Sequence, residues 1–186
     1  MKLGFVSAIL DGWTFEEMMD TAAGLGYECV EAACWPQGKA ERRYAGVSHI
    51  DVDNDSREYV NHQMCIRDRT GVEISALAYY PNTMDGDFQK REAAIRHLKK
   101  VIAFSEKLGV GMVTTFVGRD QTKSVEENLE AFGRIWPPII RYAEEHGVRI
   151  AIENCPMLFG REQWPGGHNL FTSPALWRKM FDMIPS

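Results

Sequence analysis

The chain has 186 residues, enough for one domain with a sizeable core; 45% of them are hydrophobic, 25% are charged, and the formal net charge is −5. The acidic balance argues against a nucleic-acid partner, and no apolar run is long enough to span a bilayer. "MKLGFVSAIL" has neither a long apolar h-region nor a small-residue cleavage site, and Cys29, Cys34, Cys65 and Cys155 show no CxxC or Cys/His zinc spacing, so a cytoplasmic protein with buried reduced thiols is expected.

In chain order, "KLGFVSAIL" predicts a first strand near residues 2–9. Thr14 and Glu17 fit a capping box, opening a helix with Phe15, Met18, Met19, Ala22 and Ala23 on one face. Four segments then share one form: "AGLGYECVEAACW", "DRTGVEISALAYYP", "EKLGVGMVTTFVG" and "EEHGVRIAIENCP". Each is a helix end, a glycine (Gly26, Gly71, Gly109 or Gly147) and an apolar strand, and together they predict strands near 27–34, 72–79, 110–116 and 148–153.

Between them, Ile95, Leu98, Ile102 and Leu108 lie on one helical face. A second face collects Val125, Leu129, Phe132, Trp136, Ile139 and Ala143, behind a capping box of Ser124 and Glu127. Pro137 and Pro138 remove backbone donors there and predict a kink or a split. Ser173 and Pro174 open a last helix through "ALWRKMF". In "QMCIRDR", Gln63 to Arg69, the apolar pattern fades after Ile66; the stretch reads either as an irregular helix end or as a translated sequencing-adaptor remnant.

Strand and helix alternate five times, which demands parallel strands covered by helices. Two α/β architectures compete: a doubly wound open sheet and a (β/α)8 TIM barrel. No phosphate-binding glycine fingerprint follows the first strand, where "SAILDGWTFEE" stands, and this disfavours a nucleotide-binding open sheet. In either architecture, function belongs at the C-terminal ends of the strands.

In "VRIAIENCP", Val148, Ile150 and Ile152 share one side of the strand, while Arg149, Ala151 and Glu153 share the other. The β-branched side suits the helices, so Glu153 is expected to point into a barrel mouth. Other strand exits carry Trp35, Tyr80, Asn82, Thr115 and Asn154 as candidate substrate-binding residues, and His168 in the glycine-rich "WPGGHNLFTSP" joins them. Trp35 and Tyr80 could wall a sugar ring or merely cap the core. Glu31 is expected to meet Arg149 in an ion pair, and His49, His62, His97 and His146 to be solvated or capping residues.

"GFVSAIL", "ISALAYYPN", "TTFVGRD", "VRIAIENCP" and "HNLFTSPALWRKMF" together resemble the sugar phosphate isomerase/epimerases of the xylose-isomerase-like TIM-barrel superfamily. The resemblance implies a barrel truncated to about its first five βα units, with residues 1–186 as a single partial domain. It also implies that Glu153, at the end of the fifth strand, binds a divalent metal (Mn²⁺, Mg²⁺ or Co²⁺) and takes part in catalysis. The other metal ligands, an Asp, a His and a second Glu, are expected beyond residue 186. The implied substrate is a sugar or sugar phosphate, reacting by proton abstraction next to a carbonyl through an enediolate; a homo-oligomer is compatible with this. The chain as given is expected to be an inactive fragment. Two rival readings stand beside it: a non-catalytic sugar-binding barrel domain, and a metal hydrolase like the apurinic-site endonucleases.

Overall fold

In the computed structural model, which describes residues 1–38, 45–158, 160–161 and 167–186, strands and helices alternate throughout. They are β1 (Gly4–Val6), a 3-10 turn (Ser7–Ile9), α1 (Phe15–Gly24), β2 (Cys29–Ala33), α2 (Arg57–Thr70) and β3 (Glu73–Ala78). After these come α3 (Phe88–Leu108), β4 (Met112–Thr115), α4 (Val125–Glu145), β5 (Arg149–Ile152) and α5 (Pro174–Met183). The pairings among these five strands are all parallel, and the sheet runs in the order β1-β2-β3-β4-β5.

Register fixes two faces, because side chains of paired residues in neighbouring strands point the same way. Ala33, Ala78, Thr114 and Ala151 form one row, with Glu31 and Ala76 below it. The opposite row, including Leu77, Val113 and Ile150, faces the helices. Met18, Leu98, Ile102, Phe104, Phe132, Trp136 and Ile139 close over that side and are fully or almost fully buried.

The helix starts follow the expected chemistry. Thr14 with Glu17 and Ser124 with Glu127 make reciprocal capping boxes, and Ser173 accepts from the Leu176 amide at the start of α5. Gly71 and Gly109 close α2 and α3 at φ +70° and +67°, a conformation that costs a residue with a Cβ.

Several expectations are corrected. α4 continues unbroken through Pro137 and Pro138. The buried stripe of Leu129, Phe132, Trp136, Ile139 and Ala143 continues on both sides of the prolines, and packing of that stripe holds the helix together across the missing donors. Ala23 is exposed, one position off the buried face of α1. β1 ends at Val6 because Ser7–Ile9 winds into the 3-10 turn. All four cysteines are free, but only Cys34 is buried, while Cys65 is exposed on α2. The stretch Gln63 to Arg69 lies wholly within α2.

Candidate active site at the strand exits

Tyr80 stands at the centre of the C-terminal face. It continues the inward row of β3 past Ala78, and its hydroxyl donates to Glu31 Oε1 at 2.5 Å. Glu31 therefore partners Tyr80 and makes no ion pair with Arg149, which is exposed. Burial first, and then the charge of Glu31, push the Tyr80 phenol well above its ordinary value, so the hydroxyl keeps its proton and serves as a donor.

Glu153 follows Ile152 on the inward side of β5, and its amide donates to the Thr115 carbonyl at 2.8 Å. Its side chain remains open to solvent at the mouth. Even so, partial desolvation raises its pKa, and the nearby charge of Glu31 raises it further. Its charge is also felt at the Tyr80 phenol. Glu31, Tyr80 and Glu153 are thus electrostatically connected, a carboxylate with raised proton affinity and a protonated phenol among them. Such a group can hold and move a proton.

A cleft of about 560 Å³ opens next to this group, lined among others by Trp35, Tyr80, Asn82, Lys90, Phe116 and His168. Four of the expected substrate-binding residues therefore border one space. Trp35 is held edge-on against Tyr79 at 4.9 Å, and Tyr79 against the His97 ring at 4.6 Å. His97 in turn binds the Cys34 carbonyl at 2.7 Å. Asn82 lines the cleft, but its amide is already engaged, donating to the Arg119 carbonyl at 3.0 Å and accepting from the Met84 amide at 3.1 Å. Glu153, Thr115 and Asn154 do not line this cleft. Asn154 is exposed. Of the segment "WPGGHNLFTSP", Trp164 to Gly166 lie outside the described residues.

Thr115 is a correction. It is fully buried and pairs with Ile152 on the helix side, whereas Thr114, paired with Ala151, takes the inward position. Two histidines differ from expectation as well, since His49 and His97 are buried and hydrogen-bonded. His49 takes the Ser7 hydroxyl on Nδ1 at 2.9 Å and reaches the Leu10 carbonyl through Nε2 at 3.1 Å. Burial lowers the pKa of both rings, keeping them neutral braces. His146 does cap α4, beside Glu106.

Sequence reasoning missed Glu31 as the partner of Tyr80, and it missed Asn169, which is 1% exposed and binds the backbone around Glu153. The signal for Glu31 was present, because "CVEAA" puts a carboxylate on the same face as Cys29 and Ala33, where a strand facing only a core would carry an apolar side chain.

Residues 19–186 match the family model described as xylose isomerase-like TIM barrel. No curated protein matches the chain. Among solved structures, the chain is similar to D-psicose 3-epimerase with D-tagatose from Clostridium cellulolyticum H10, at 16% identity and TM-score 0.63, over 87% of this chain and 55% of that one. It is also similar to an IOLI protein with a bound zinc atom, at 16% identity and TM-score 0.70, over 100% and 60%. A third is the probable 3-DHS dehydratase AsbF of Bacillus anthracis, at 12% identity and TM-score 0.69, over 100% and 60%. The chain therefore spans less than two thirds of the structures it resembles, and its five parallel βα units are consistent with a truncated TIM barrel. By its family-model match, the chain belongs to the xylose isomerase-like TIM-barrel family.

Proposed function

We propose that these five βα units belong to a sugar or sugar-phosphate isomerase or epimerase, with Glu153 moving a proton on the carbon beside the substrate's carbonyl. What supports this reading is the carboxylate of Glu153 just past β5, which feels the charge of Glu31 and is itself felt at Tyr80, the residue that donates to Glu31. Two D-psicose 3-epimerases among the similar structures were solved with sugars, one with D-tagatose and one in the presence of D-fructose.

In the proposed reaction, the Glu153 carboxylate takes the proton from the carbon next to the carbonyl, and the electron pair passes into an enediolate. Return of that proton by Glu153 to the former carbonyl carbon, with the hydroxyl proton passing between the two oxygens, gives the isomer; the epimer requires a second acid that delivers a proton to the opposite face of the first carbon. Tyr80, held protonated and oriented by Glu31, stands beside the carboxylate as a hydroxyl for the substrate's oxygens. Trp35 offers an apolar wall along the cleft, with His168 and Asn82 on the rim.

A divalent ion such as Mg²⁺, Mn²⁺ or Co²⁺ would supply positive charge beside those oxygens when bound. The described residues meet that need only in part. Glu153 offers one hard oxygen donor, but among the described residues no group of three or more His, Cys, Asp or Glu side chains can hold an ion. Glu153 is the ligand these five units would contribute.

The test is exchange of the substrate's α-proton with deuterated water, catalysed by a complete barrel containing these units and supplied with Mn²⁺. Glu153→Gln should cut exchange and turnover by roughly 10²- to 10⁴-fold, the usual weight of a general base. Near-native exchange in that variant would remove Glu153 from the chemistry.

A further inference from the structure

We propose that Asn169 is the positioning residue for Glu153, fixing the direction in which its side chain leaves the end of β5. This rests on the reading of Glu153 as the reactive group. Asn169 lies 16 residues beyond Glu153 in the chain, yet its Nδ2 donates to the Glu153 carbonyl at 3.1 Å and to the Cys155 carbonyl at 2.9 Å. Its Oδ1 accepts from the Gly118 amide, at the exit of β4, at 3.3 Å. The other side of residue 153 is tied too, because the Glu153 amide donates to the Thr115 carbonyl at 2.8 Å. Both peptide groups flanking the Glu153 α-carbon are therefore anchored, one to β4 directly and one through Asn169, and together they set the Cα–Cβ direction.

The chain goes to some length to deliver this amide. At Gly167 (φ +57°) a Cβ would lie 1.9 Å from the Pro156 carbonyl oxygen, so only glycine lets the returning segment cross the β5 exit. The His168 amide then donates to that same carbonyl at 2.8 Å, and the Leu170 amide donates to the Gly118 carbonyl at 3.1 Å. Leu170 and Phe171 are 2% and 0% exposed, and the Phe171 ring packs edge-on against Phe132 at 4.7 Å. The site needs two donors and one acceptor on a short stem, and asparagine supplies that set. Aspartate lacks the donors and would set a second negative charge beside Glu153; leucine keeps the volume and loses all three bonds.

The alternative is a loop staple with no say in where Glu153 points, and a stability measurement alone would not separate the two. The discriminating readout is the orientation of the residue 153 Cα–Cβ bond, from residual dipolar couplings in the 186-residue chain, with amide exchange measured at the same residue. The variants are Asn169→Leu and the milder Asn169→Ser, which keeps the experiment decisive if the first does not fold. The control is Asn128→Leu, since Asn128 is equally buried and makes four comparable bonds at the start of α4, away from Glu153.

All three variants should melt earlier. Only the Asn169 variants should rotate the residue 153 bond vector and speed exchange of its amide, by roughly tenfold or more for the hydrogen bonds lost. Unchanged couplings in Asn169→Ser, or an equal change in Asn128→Leu, would overturn the proposal. If the couplings behave as expected while the complete barrel exchanges no sugar proton, the positioning role stands and the catalytic reading falls.

Discussion

Glu153 sits where burial and the charge of Glu31 both favour its protonated form. A carboxyl whose pKa rises on folding stabilises the folded chain while it is protonated. That contribution is present below the unfolded value and disappears as pH climbs through the raised folded value. At neutral pH the ionised group therefore opposes folding, as a residue retained for chemistry commonly does. Glu153→Gln should accordingly raise the melting midpoint at pH 7, with the gain fading as pH falls below the ordinary value of 4.5. Paired thermal melts at neutral and acid pH check this, and equal midpoints at pH 7 would contradict it. Tyr80→Phe removes the hydroxyl that donates to Glu31 from just past β3 and should cost about 1 kcal/mol in a urea titration, both groups being partly solvated.

At the level of single elements, α2 carries a local mismatch. Gln63 is 3% exposed, and its Oε1 has no hydrogen-bond partner among the described residues. An unsatisfied buried amide oxygen is costly, so Gln63→Met, similar in length and without that oxygen, should stabilise the chain by about 1 to 2 kcal/mol in the same titration. A loss of stability would show that the amide has a role the described contacts miss. Helices with a strong 3.6-residue apolar period and capping boxes, α1 and α4, were legible in the sequence because both signals are local. The two faces of β5 were legible because Arg149 and Ala151 alternate with Ile150 and Ile152. "VGMVTTFVG" has no such alternation; two adjacent threonines look alike, and only the register with β3 and β5 shows that Thr114 faces inward and Thr115 outward. Asn169 and the pairing of Glu31 with Tyr80 were illegible for a related reason, since their partners lie 16 and 49 residues away and no local pattern encodes the meeting.

Over the whole molecule, β1 and β5 each have a single neighbour in the sheet. Leu3, Val6 and Ile9 stand exposed at the β1 end. Unpaired edges beside apolar side chains invite association. The purified 186-residue chain should therefore self-associate with rising concentration in sedimentation experiments, and a concentration-independent monomer would show that these edges are protected. Mn²⁺ titrated into the same material should show no tight stoichiometric binding, because the described residues bring together fewer than three suitable ligands.

The polar contacts of the C-terminal face run from each βα unit to the next. Ser7 of the first unit takes the Ala33 amide of the second. The third unit reaches back through Tyr80 to Glu31 and through His97 to Cys34, and forward through Asn82 to Arg119 and Thr83 to Val117. Asn169 then joins the fifth unit to Gly118 in the fourth. Each unit is thus keyed to its neighbours at its working end, and one transplanted from a relative would arrive with keys cut for other locks. Chimeras of such barrels should tolerate crossovers at the opposite face, in the short turns that lead from helix to strand, and should fail when a crossover separates Tyr80 from Glu31 or Asn169 from Gly118.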